Sequence, residues 1–348
     1  MASGDPGRRP YPFYNTTFTL HRLSPLYVGS DVPLDNTALL PYARRFRDIL
    51  AGDVLRGVRV GLGSDEDVLA RVGALQTVTW KVLVDEDTWD TTVGNETQMD
   101  ETLEFGAGRG LYVNITYERA SYVAILLRSP KGEPHEEGHG FQRFPLLLTR
   151  MPGSLREAFT EFLASTFDAR ISVLRMGRSY LPSTLESYVA NCMVGEDGEA
   201  ASLAESSGTL KRILKDVQVV VGFDLPSVSQ SLKTIDVLIA RDDLPQLLQR
   251  GSKIARKSGE KEDRKMPFLD ALMMHVDTHL ALDMRHESVR ILRVACGAFV
   301  LGAEGKAKLT EPTTSDGDTV QSRATRILID DLIELAEGRG MAKVGEDR

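Results

Sequence analysis

Cysteine is scarce in this chain: 348 residues contain two, Cys192 and Cys296. That excludes a disulfide framework and fits a reducing compartment, with each thiol read as a small buried apolar side chain. Long apolar runs are missing as well. No stretch approaches the roughly 20 residues that span a bilayer. The opening MASGDPGRRPYP lacks the apolar centre of a secretory signal, so residues 1–12 read as a disordered tail. Positive charge is absent from one long stretch. Val84 to Glu104 holds Asp85, Glu86, Asp87, Asp90, Glu96, Asp100, Glu101 and Glu104 with no Lys or Arg, which equals the net charge of −8. The rest of the chain is therefore balanced, and an acidic total leaves room for a basic face. With Gly, Thr and Asn between the acids and no apolar period, 84–104 reads as a solvated, mobile insertion.

Catalytic signatures are also lacking. Gly106-Ala107-Gly108-Arg109-Gly110 precedes a strand-like run, whereas a phosphate loop follows a strand and opens a helix. Gly61-Leu62-Gly63 leads into Ser64-Asp65-Glu66-Asp67, whose acids repel phosphate, and neither run carries a Walker lysine. His135, Glu136, Glu137 and His139 sit in a loop-like segment. His275 and His279 stand one helical turn apart, but Val276 follows His275 where a metalloprotease needs glutamate. The simpler reading is a half-exposed helix edge. No serine lies in a nucleophile elbow, and nothing near Cys192 marks an activated thiolate. No catalytic residue, cofactor or metal is expected.

What is present fits a sizeable core, with 42% hydrophobic residues in a length suited to one large or two moderate domains. Strand-like runs occupy 17–23, 57–62, 77–84, 111–118, 121–128, 144–149, 169–176, 217–223, 235–240 and 289–301. Helical patterns occupy about 36–55, 153–167, 182–193, 244–250, 268–284 and 324–335, the second marked by Leu155, Phe159, Phe162, Leu163 and Phe167. The pattern predicts an α+β chain of mostly antiparallel sheets with helices packed on one face, in two sub-domains. The polar run GEDGEAASLAESSG (195–208) divides 13–194, which carries the acidic insertion, from 209–338, and 339–348 reads as a flexible tail.

Surface features remain. Arg44, Arg45 and Arg47 cluster on the first helix, and Arg250 to Lys265 reads as a charged loop containing Lys253, Arg256, Lys257, Lys261, Arg264 and Lys265. Such residues can neutralise DNA phosphates without reading sequence, or simply stay solvated. In VRILRVACGAFVL (289–301), Val289, Ile291, Ala295, Phe299 and Leu301 fall on one face, with Leu292, Val294, Cys296, Ala298 and Val300 on the other. A strand apolar on both faces is either central in a sheet or buried across an interface. As an interface it would present Val289, Ile291, Val294, Phe299 and Leu301.

Three islands carry a resemblance. NTTFTLHRLSPLY (15–27) is similar to the "N-K-x-W-T-L-Y-S-L-T-P-L-Y" opening of the centromere protein L (CENP-L) family, with Phe18 in place of the usual tryptophan. LASTFDARIS (163–172) resembles that family's helix-to-strand segment. MMHVDTHLALDMRHESVRILRV (273–294) resembles its "S-H-F-x-x-H-x-x-I-x-L-x-x-x-x-L-V-R-V" run. The resemblance implies a fungal, non-enzymatic inner-kinetochore subunit in the nucleus, at the centromere. It implies a heterodimer with a CENP-N-like protein through residues 209–338, further inner-kinetochore partners, and auxiliary, sequence-independent contact with centromeric nucleosomal DNA. The other reading it leaves open is a DNA-repair or recombination accessory protein that binds DNA.

Overall fold

The computed structural model describes residues 11–29, 34–56, 72–86, 89, 108–130, 140–195, 198–199, 201–224, 233–258, 266–312 and 319–338, with backbone only at 53–56 and 255–258. The expected strand at 57–62, most of the acidic insertion, the 131–139 cluster, residues 1–10 and the tail 339–348 lie outside these residues. The expected disordered tail reached too far, because Tyr11 is buried and its hydroxyl donates to Val84 O at 2.7 Å. The fold is α+β, with seven helices and thirteen strands among the described residues. The chain divides into two compact units. The first comprises 1–12, 18–174 and 332–338; the second comprises 13–17, 175–331 and 339–348.

In the first unit, β1 (Thr17–Leu23), β7 (Leu146–Arg150), β5 (Ser121–Leu127), β4 (Gly110–Tyr117) and β3 (Leu75–Leu83) are neighbours in that order, all antiparallel. A short β8 (Ile171–Val173) adds to β1. The opening motif explains its own turn. Ser24 and Pro25 end β1, and the Ser24 hydroxyl accepts from Arg170 N–H at 2.9 Å, fixing the exit. The chain then pairs β2 (Leu26–Tyr27) with β6 (Phe141–Gln142). Asp35 caps α1 (Asn36–Arg56) by accepting from Ala38 N–H at 2.6 Å. Asn36 instead accepts from Val82 N–H at 2.8 Å, satisfying a donor on β3.

One sheet face carries α1 and α2 (Gly153–Phe167), and all five apolar residues predicted for α2 are buried. Trp80 anchors that core, with ring centroids 6.0 Å from both Phe159 and Phe162 and 6.4 Å from Phe167. Phe46 of α1 meets Phe162 at 4.9 Å. Tilted and edge contacts of this kind add to plain area burial.

The second unit has the sheet order β10 (Thr234–Ile239), β9 (Val217–Phe223), β11 (Val289–Ala295), β12 (Phe299–Gly302) and β13 (Lys306–Leu309), again antiparallel. Its helices are α3 (Tyr180–Cys192), α4 (Leu203–Leu214), α5 (Leu244–Ser258) and α6 (Pro267–Leu280). The first part of α7 (Val320–Glu337) belongs here too. Tyr188 of α3 packs edge-on against Phe299 at 4.9 Å, and its hydroxyl pairs with Thr325 of α7 at 3.3 Å.

Four expectations are corrected here. The run 195–208 contains a helix start: Ser202 and Glu205 form a capping box, and α4 follows. The charged loop from Arg250 is helical to Ser258. Gly251 lies where α5 crosses α6 so closely that a Cβ would run into the Pro267 carbonyl. The helix expected to reach residue 284 stops at Leu280, with Ala281 in the left-handed region. The long strand 289–301 is a hairpin turning at Cys296–Ala298.

Candidate nucleic-acid interface

The five residues proposed as a partner interface lie in the core. Val289, Ile291, Val294, Phe299 and Leu301 are all buried, and β11 is hydrogen-bonded on both edges, by β9 and β12. The assignment of faces changes for a local reason. A bulge at Leu292 shifts the register between Ile291 and Arg293, so Val294 joins Val289 and Ile291 on the helix-covered face. Alternation counted straight through the bulge put Val294 on the wrong side.

The same bulge builds the opposite face. Arg290 and Arg293 are the exposed residues of β11, and Lys306 and Lys308 those of β13. The register sets Arg293 opposite Gly302 of β12, and Gly302 opposite Lys306. Ala295 likewise aligns with Val300, and Val300 with Lys308. With strands about 4.8 Å apart, the arginine and lysine rows stand about 10 Å apart across the centre of this face. That centre is made of Val220, Gly222, Ala295, Val300 and Gly302. Leu292 lies over Gly222, and the Glu304 carboxylate lies over Gly302, between the two rows. Asp236 ends the Arg293 row and accepts from Gln218 at 3.1 Å. Four cations thus face two carboxylates, and no ion pair engages the four among the described residues.

The predicted basic residues are scattered more widely. Arg44, Arg45 and Arg47 are exposed on α1, opposite the buried Leu39, Ala43, Phe46 and Leu50. Lys253 is exposed on α5. Arg256 and Lys257 lie in the same helix by backbone alone, and Lys261 and Lys265 fall outside the described residues. Sequence reasoning missed Arg290, Arg293, Lys306 and Lys308. The cue was there in VRILRVA and KAKL, two strands with cations alternating against apolar residues, but reading 289–301 as one strand concealed the hairpin.

The remaining chemistry is quiet. Burial pushes the Cys192 thiol up to about 12 and the Cys296 thiol up to about 11, so neither is a ready nucleophile. Burial and the nearby Arg156 charge push His21 down to about 4, leaving it neutral. Among the described residues no group of three or more His, Cys, Asp or Glu is placed to hold a metal ion. No helix among them is long and apolar enough to cross a membrane.

Comparison with known proteins agrees with the opening motifs. The sequence profile of the family described as CENP-L: Centromere protein L matches residues 12–337, nearly the whole chain. No curated protein matches the sequence.

Proposed function

The chain belongs to the centromere protein L family, a structural kinetochore family, which makes it a centromere and kinetochore protein of the nuclear chromosome. From that premise we propose that it is a non-enzymatic scaffold that pairs with a CENP-N-like subunit and holds the kinetochore on centromeric chromatin. The observation that carries the DNA part is the basic face of the second unit. Arg290, Arg293, Lys306 and Lys308 are exposed on one sheet face, with Glu304 and Asp236 as the acids among them. Cations held on strands suit phosphates along a backbone, which they can neutralise without reading its sequence. Arg44, Arg45, Arg47 and Lys253 are auxiliary contacts in this reading, with Arg256, Lys257, Lys261 and Lys265 extending the Lys253 group.

Pairing is proposed at the open sheet edge rather than in the core. Among the described residues no strand pairs with the outer side of β10, and its Leu238 is 68% exposed. At the other end, Asn15 N–H donates to Leu309 O at 2.7 Å, so β13 is already covered. An uncovered edge with an exposed leucine is a natural place for a partner strand. Val289, Ile291, Val294, Phe299 and Leu301 support that sheet from beneath. The match to this family lends no support to a repair or recombination role.

Affinity capture of the tagged chain from crosslinked cells tests the proposal. The wild type is expected to bring down a CENP-N-like subunit and centromeric DNA. Arg293→Glu/Lys306→Glu/Lys308→Glu should keep the subunit and lose the DNA, and Leu238→Asp should lose the subunit. Equal DNA recovery by the triple variant would remove the basic face from the account. Capture without any kinetochore subunit would sink the scaffold reading.

A further inference from the structure

We propose that His275 and His279 form a surface site for a borderline divalent transition metal of the zinc, nickel and copper class. Residues four apart on a helix share one face, and here the two imidazole centroids stand 4.3 Å apart with the rings tilted by 58°. Both side chains are exposed, so the sheet and the other helices do not occupy the space around them. Their helix is held firmly. Phe268, Leu269, Leu272 and Val276 are buried on its opposite face, and Glu186 accepts from Phe268 and Leu269 N–H at its start. Two imidazoles on one helical turn can offer two lone pairs to the same ion, with little further ordering to be done. They lie toward the C-terminal end of α6, where the helix dipole favours a cation.

No third protein ligand joins them among the described residues. The other coordination positions therefore belong to water or to a ligand from a partner, as in an open rather than a structural site. Such an ion is exchangeable, and folding does not depend on it.

Calorimetric titration of the full chain with zinc chloride, paired with histidine-selective NMR, tests this. One ion per chain should move the His275 and His279 ring signals together, and binding should weaken as pH falls because the ligands must be deprotonated. Copper should bind more tightly than zinc. His275→Ala and His279→Ala should each reduce binding to that of a single surface histidine with the melting temperature in metal-free buffer unchanged. Independent shifts of the two rings would overturn the site. So would undiminished zinc binding by both variants, which would move the ion elsewhere, for example to His135 and His139.

Discussion

Raising the pH from 5 to 8 should weaken this fold at one carboxyl group. Glu186 of α3 is buried, and its oxygens accept from Phe268 and Leu269 N–H at 3.2 and 3.0 Å. Burial is the larger influence, and it pushes the group from its ordinary 4.5 to about 7. The two N–H donors pull the other way, and the charge of Asp270 adds to the effect of burial. Because the folded value lies above the unfolded one, the folded chain holds the extra proton between about 4.5 and 7. Its stability therefore falls as pH rises through that window. Below the window the group costs nothing; above it the full cost applies. The gap between 4.5 and 7 corresponds to roughly 3 kcal/mol at 1.36 kcal/mol per pH unit. The assay is urea unfolding at pH 5, 6, 7 and 8 for the wild type and Glu186→Gln, which cannot ionise there. Subtracting the two curves removes every other titrating group. The wild type should lose up to about 3 kcal/mol relative to the variant across the series. A relative gain with pH would refute the reasoning, since the N–H donors and helix end would then outweigh burial.

Three further outcomes follow from named contacts. Phe299→Ala should cost about 3–5 kcal/mol in denaturant unfolding, because the ring is buried against Tyr188. Gly251→Ala should lower the melting temperature. In an open helix this change gains about 1 kcal/mol, but here the added carbon meets the Pro267 carbonyl. Glu304→Gln should raise duplex affinity a few-fold in fluorescence anisotropy, since its carboxylate lies among the cations and one exposed charge contributes about 1 kcal/mol or less.

Much of the fold was legible because the strongest signals are local. The Ser24-Pro25 stop, a helix cap at Asp35 or Asn36 and the five apolar residues of α2 each follow from one segment's chemistry, and the structure makes Asp35 the cap while Asn36 serves β3. The failures depend on contacts with distant residues. The charge of the run from Arg250 reads as a loop until the helix packed against it at Gly251 is known, and nothing local in 289–301 announces the bulge at Leu292. Ser202 and Glu205 were different: their capping box is a local signal, masked by the small polar residues around it. The basic face was hidden because it is assembled from β11 and β13, which are not sheet neighbours and become aligned only through β12.

The salt dependence of duplex binding tests the central claim most directly. Affinity of the full chain for one duplex, followed by anisotropy across a series of salt concentrations, gives a slope of log affinity against log salt. The account predicts that Arg293→Ala/Lys306→Ala/Lys308→Ala makes this slope shallower by about 0.9 per lost phosphate contact, or about 2.7 for all three. The reduction should be the same on unrelated sequences. An unchanged slope, or a loss confined to one sequence, would contradict a backbone-binding face on this sheet.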